Sequence, residues 1–207
     1  MSPAIDTVVF DLGGVLIHWN PNAAFQDVLE PDEIDPFLAE IDFHEWNRAL
    51  DAGRPMAEAE AEIEARFPHR SGVIAAYRTN FRRTLVGEVD GTADVVRELA
   101  DAGVRLLALT NWSAESFPVA RELFPVLGRF EAIVVSGEER LIKPDPRIFQ
   151  TLVERHTLVP ERTAYIDDSA ANVAAAADLG LVALQFTGSW PLRRELIRLG
   201  LPLARRP

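Results

Sequence analysis

The chain has 207 residues, of which 48% are hydrophobic, and a formal net charge of −11. That supports one generous domain, or a core domain with a small insertion. Cysteine is absent, which excludes disulfides and thiolate chemistry, and no basic stripe interrupts the acidic balance, so nucleic acid is not an expected partner. The first residues lack a basic region, and no stretch nears the roughly 18 apolar residues of a membrane span. The expectation is a cytoplasmic protein without a membrane partner. Nothing in the sequence speaks to its oligomeric state.

Residues 5–11 predict the first strand: Val8-Val9-Phe10 is a short β-forming run that stops at Asp11, and Gly13-Gly14 break it. Residues 21–83 lack strand signals and predict helices over 22–29, 33–50 with an internal break, 56–67 and 72–84. Asp51-Ala52-Gly53-Arg54-Pro55 and Phe67-Pro68-His69-Arg70-Ser71-Gly72 punctuate them. The Ala- and Glu-rich run from Met56 reads as an exposed helix with a solvated face.

After Gly87 helix and strand alternate. Helices are predicted over 92–102, 114–124, 145–156, 169–179 and 190–199, with strands over 104–109, 132–135, 163–167 and 181–186. Such alternation implies an α/β fold: a Rossmann-like, mainly parallel sheet with helices on both faces. Right-handed crossovers then bring the ends of the parallel strands to one edge, where open sheets bind ligands. The expected division is a core of residues 1–16 and 85–207 and an all-helical cap of residues 17–84 over that edge.

Chemistry-bearing residues stand at four of those ends. Asp11 closes the first strand and Thr110-Asn111 the second. Lys143-Pro144-Asp145 follows the third, and Asp167-Asp168 closes the fourth. Each has a plain structural reading: a turn aspartate, helix N-caps, a solvated lysine. Of the 21 basic side chains Lys143 is the only lysine, which favours a specific ammonium role. Four such segments in this order resemble the haloacid dehalogenase superfamily, over nearly the whole chain. In that family a helical insert between the first and second motifs is a type 1 cap.

The resemblance implies that Asp11 is a nucleophile, forming an aspartyl-phosphate, and also a ligand of Mg²⁺. Asp168 would be the second carboxylate ligand, with Asp167 a direct or water-mediated neighbour and the Gly13 carbonyl a further oxygen. Thr110 and Asn111 would hold the phosphoryl oxygens, and Lys143 would neutralise Asp11 and the phosphoryl group together. Asn172, one helical turn past Asp168, would orient it. Pro144 would set the start of the following helix. The implied reaction is Mg²⁺-dependent hydrolysis of a small phosphorylated metabolite, with sugar phosphates among the candidates.

Gly13 departs from the family pattern, in which phosphatases carry a general acid and base two residues after the nucleophile. Asp-x-Gly resembles a sugar-phosphate phosphatase branch. His18, His44 and His69 are the candidate substitutes, each also readable as a plain surface or packing histidine. His18, Trp19, Trp46 and Arg48 are the candidate substrate contacts, with Trp112 facing the cap; Phe43 and Trp46 read equally as cap core. Trp190 is assigned to packing. Two rivals remain: a metal-independent 2-haloacid dehalogenase, and a degenerate member that binds a phosphorylated ligand or a partner protein without turnover. The adjacent carboxylates at 167 and 168 argue for a cation and against halide displacement.

Overall fold

The computed structural model describes residues 4–204. Its centre is a five-stranded sheet of β1 (Thr7–Phe10), β4 (Arg105–Thr110), β5 (Ala132–Val135), β6 (Thr163–Asp167) and β7 (Val182–Gln185). The order is β5-β4-β1-β6-β7, and every pairing is parallel. β1 therefore lies in the middle, flanked by the strands that end at Thr110 and Asp167.

The period of two along each strand divides the core. Val8, Phe10, Leu106, Ala108, Ala164 and Ile166 face one apolar cluster, while Val9, Leu107, Leu109 and Tyr165 face another. Burial on both faces is why these strands read as continuous apolar runs. Around them lie α6 (Thr92–Asp101), α7 (Phe117–Leu123), α8 (Ser136–Glu139), α9 (Pro146–Arg155), α10 (Ala170–Asp178) and α11 (Ser189–Arg198). Asp145 caps α9 by accepting from the Arg147 N–H, and the proline in its first turn is Pro146, so Pro144 stands outside the helix it was expected to start.

Between β1 and β4 the chain leaves through β2 (Ile17–Trp19) and returns through β3 (Leu85–Glu88), which pair antiparallel. Neither strand was expected. Each is short, and their partners lie some seventy residues apart (Ile17 opposite Glu88, His18 opposite Gly87), so long-range pairing rather than local propensity makes them strands. Between them lie α1 (Pro31–Glu40), α2 (Phe43–Asp51), α3 (Met56–Arg66), α4 (Ala75–Thr79) and α5 (Phe81–Thr84).

The expected helix over 22–29 is only a 3₁₀ turn, Pro21–Ala24, capped by the Asn20 side chain. The expected break within 33–50 falls at Asp42, whose φ is 52°. The expected helix over 72–84 is split at Asn80, whose side-chain amide donates to the Ala24 carbonyl at 2.9 Å. Trp190 is 47% exposed rather than packed.

The insert is fastened to the core. Ser136 Oγ donates to the Asp51 carbonyl at 2.6 Å, and the Met56 N–H donates to Glu115 Oε1 at 2.9 Å. Gly137 permits the approach: a Cβ there would press on the Ala114 nitrogen and lie 2.8 Å from the Trp112 carbonyl oxygen. Gly137→Ala is therefore expected to destabilise the protein by about 1–3 kcal/mol, read as a lower urea midpoint.

Candidate active site

Asp11 follows directly from β1, its N–H bonded to the Ile166 carbonyl at 2.8 Å. Its Oδ1 accepts from the Leu12 N–H at 2.7 Å and faces Lys143 Nζ at 2.9 Å. Lys143 arrives from the loop before α9 and is 3% exposed. Its ammonium also pairs with Asp167 Oδ2 at 2.7 Å and donates to the Leu109 carbonyl at 3.0 Å. The Asn111 side chain holds that loop at both polar ends, accepting from the Lys143 N–H at 2.8 Å and donating to its carbonyl at 3.0 Å.

Asp167 is fully buried and spends both oxygens on protein donors. Besides Lys143 these are the Tyr165 hydroxyl, the Ser169 N–H and the Asn172 amide. Asn172 thus orients Asp167, not Asp168, because its place in the first turn of α10 faces back toward the end of β6. Asp168 turns outward. Gly14, at φ 74°, makes room for it: a Cβ there would lie 2.6 Å from Asp168 Oδ2.

Carboxylate oxygens of Asp11, Asp167 and Asp168 come within 4.8 Å of one another. Such a group is unfavourable as three anions beside one ammonium. Burial raises the Asp11 carboxyl to about 7 despite Lys143, and burial followed by Asp167 raises Asp168. An all-oxygen set with excess negative charge fits a hard divalent cation. Thr110, at the end of β4, is fully buried and does not line the cavity above Asp11. Among the described residues, only its hydroxyl and that of Thr92 are buried without a hydrogen-bond partner.

A cavity of about 410 Å³ opens above Asp11, Gly13, Lys143 and Asp168. Trp19, Tyr77, Phe81 and Trp112 give it aromatic walls, and His18, Asn47 and Asp51 also line it. Trp46 and Arg48 are corrected: neither lines the cavity. Trp46 is packed in the insert against Phe43 and Tyr77, its Nε1 donating to the Ala59 carbonyl, and Arg48 lies on the surface with Glu45. His44 and His69 are also exposed, away from the cavity, with His69 on Glu40.

Sequence reasoning missed Asp51, Ser136 and Tyr165. Asp51 reads as helix-ending punctuation, and only the docking of α2 on the core takes it into the cavity. Tyr165 sits two residues before Asp167 on one face of β6, a spacing that could have suggested their contact.

Residues 5–180 match the haloacid dehalogenase-like hydrolases. The chain belongs to that family. This hydrolase is 27% identical to the sesquiterpene phosphatase astK of Aspergillus oryzae, over 96% of its own chain and 98% of that protein. It is 31% identical to a phosphoglycolate phosphatase of Cereibacter sphaeroides, over 87% and 84% of the two chains. Its fold is similar to that of a HAD family enzyme of Bacteroides thetaiotaomicron solved with magnesium and inorganic phosphate, at TM-score 0.70, 24% identity and coverage of 89% and 95%. It is also similar in fold to an L-2-haloacid dehalogenase of Xanthobacter autotrophicus, at TM-score 0.65, 15% identity and coverage of 96% and 85%. No helix among the described residues is long and apolar enough to cross a membrane.

Two outcomes follow from this electrostatic arrangement. Lys143→Met leaves Asp11 and Asp167 buried without their cation, and should cost about 3–5 kcal/mol in urea unfolding at pH 8. Burial also raises the Asp51 carboxyl to about 7. The folded pKa lies above the unfolded one, so the stability linked to this group is present at low pH and lost as pH rises through about 7. Asp51→Asn should therefore raise the melting temperature of the protein in EDTA at pH 8, and do so less at pH 5.

Proposed function

We propose that the protein hydrolyses a small phosphate monoester through a phosphoryl intermediate on Asp11, with Mg²⁺ as cofactor. The observation that carries the reading is the pairing of Asp11 and Lys143 at 2.9 Å on the floor of the cavity, beside two further carboxylates. Asp11 Oδ1 is held by Leu12 and Lys143, which leaves Oδ2 for the phosphorus. Thr110, whose hydroxyl has no protein partner but does not line the cavity, would reach a phosphoryl oxygen only by a shift of its side chain or of the loop beyond β4. Lys143, fixed in place by Asp167 and Asn111, keeps positive charge beside the oxygens that gain negative charge in the transition state. Asp11, Asp168 and the Gly13 carbonyl would hold the metal, and Asp167 would act chiefly through Lys143. Bound there, Mg²⁺ would neutralise phosphoryl oxygens and offset the excess of carboxylates.

The walls bear on the substrate. Lys143 is the only arginine or lysine among the described residues lining the cavity, and it is already engaged. A second anionic group on the substrate would find no further arginine or lysine there. Four aromatic side chains instead favour an uncharged leaving group with an apolar face, such as a sugar ring face or a short isoprenoid. The phosphatase relatives agree with phosphoryl transfer. A dehalogenase reaction at carbon gives no reason for three clustered carboxylates.

The test is hydrolysis of p-nitrophenyl phosphate by wild type and Asp11→Asn, each with Mg²⁺ and with EDTA. Turnover that needs Mg²⁺ and falls by about 10³-fold or more in the variant is the expected result. Undiminished turnover by the variant, or chloride release from 2-chloropropionate in EDTA, would overturn the reading.

A further inference from the structure

Phosphoryl transfer to Asp11 expels an alkoxide, and the hydrolysis that follows must take a proton from water. A positioned acid and base is worth about 10² to 10⁴ in rate. Position 13, two residues after the nucleophile, is glycine and has no proton to give. Of the candidate histidines, His44 and His69 do not reach the cavity, whereas His18 lines it from β2, an imidazole that no hydrogen bond or ion pair among the described residues fixes in place.

Besides Asp11 and the expected metal ligand Asp168, one further carboxyl lines the cavity. Asp51, the last residue of α2, lines the same cavity as Asp11 and Lys143. Its position is set from both sides. On the main chain, its carbonyl accepts from Ser136 Oγ at 2.6 Å, and that oxygen accepts from the Trp112 N–H at 2.9 Å. This ties the end of α2 to the loop beyond β4. On the side chain, Oδ2 accepts from the Asn47 amide at 3.1 Å, and the Asn47 carbonyl oxygen accepts from the Tyr77 hydroxyl at 3.0 Å. These donors are neutral, and no arginine or lysine forms an ion pair with Asp51 among the described residues. It is a half-buried carboxyl held in place without being neutralised.

We infer that Asp51, delivered from the helical insert, is the general acid and base of this enzyme in place of the group missing at position 13. The inference rests on the phosphatase reading. In the first half, Asp11 bonds to phosphorus while the bond from phosphorus to the leaving oxygen breaks, and the Asp51 carboxylic acid passes its proton to that oxygen. In the second half, the Asp51 carboxylate takes a proton from the water that attacks phosphorus. The bond to Asp11 then breaks, inorganic phosphate leaves, and both carboxyls return to their starting states.

The surroundings suit both roles. The groups that face Asp51 are Asp11 from the end of β1, Lys143 from the loop before α9, the Ser113 N–H beyond β4, Asn47 on α2 and Tyr77 on α4. Burial outweighs the rest, so the carboxyl can hold a proton near neutrality and give it up again. Burial, and next the charge of Asp51, hold the Tyr77 phenol in its protonated form, so it is no competing base.

The test uses wild type, Asp51→Asn and the double variant Asp51→Asn with Gly13→Asp, all with Mg²⁺. A Cβ built on Gly13 meets nothing within 4 Å, so a side chain can start there without a clash. The substrates are p-nitrophenyl phosphate, whose leaving group needs little protonation, and 2-phenylethyl phosphate, whose leaving group needs it. Asp51→Asn should lose about 10² to 10⁴ in turnover of the alkyl ester. With the aryl ester it should release a burst of about one nitrophenolate per enzyme and then stall. Intact mass should then show a single added phosphoryl group. The double variant should recover alkyl ester turnover at least tenfold over Asp51→Asn, and the nitrophenolate burst demonstrates that the single variant folds. Wild-type rates on both esters in Asp51→Asn would overturn the assignment alone. So would equal losses on both esters with no phosphorylated protein, which would mark a binding role. A wild type that turns over neither ester would overturn the phosphatase reading and this assignment with it.

Discussion

The ammonium of Lys143 is the interaction on which the site depends. Its three hydrogens have three partners: Asp11 beyond β1, Asp167 at the end of β6 and the Leu109 carbonyl on β4. These are the three central strands of the sheet, in the order β4-β1-β6. One buried charge therefore ties together the edge at which ligands bind. Buried ion pairs repay their desolvation only when geometry is good and the remaining polar atoms are satisfied. Here Tyr165, Ser169 and Asn172 complete Asp167, and Asn111 clamps the lysine backbone. A shift of any of these strands would leave a charge unpaired in the core.

The same site is left short of positive charge. Asp11, Asp51 and Asp168 are all held above the usual carboxylate range, with burial the largest cause in each case. These groups surround the cavity rather than fill the core, so the imbalance faces the place where a ligand enters. Perturbed carboxyls in a cleft are a mark of function, because the protein bears their cost only where something else is gained. The Thr110 hydroxyl, buried without a partner, lies outside the cavity lining. A buried donor without a partner is costly, and it stands at the end of the strand beside Asp11.

The insert completes the site instead of merely covering it. It leaves and rejoins the core through the β2–β3 ribbon, and Ser136 and Glu115 fasten it at two further points. Its aromatic core of Phe25, Phe43, Trp46 and Tyr77 is packed largely edge to face. That packing explains why Trp46, which reads plausibly as a substrate contact, is spent on stability. Tyr77 and Phe81 instead reach the cavity from α4 and α5.

Much of this protein was legible in the chain itself. Strands buried on both faces must be apolar runs, so β1, β4, β5 and β6 stand out. Their alternation with helices forces a parallel sheet, and a parallel sheet puts Asp11, Thr110 and Asp167 at one edge. The helical nature of residues 31–66 was legible too, from punctuation and propensity. What the sequence did not determine is whatever depends on contacts between distant segments. β2 and β3 exist only because residues 17–19 meet residues 85–88. Asn80 splits a helix because Ala24 lies beside it. Asp167, not Asp168, receives Asn172, because the turn into α10 leaves Asp167 buried beside Asn172 and Asp168 exposed at the cavity. Asp51 is a helix-ending aspartate in the sequence, and it lines the same cavity as Asp11 only once the insert docks. Local patterns encode which element forms and which face it buries, whereas the partners of a polar side chain are set by packing across the whole fold.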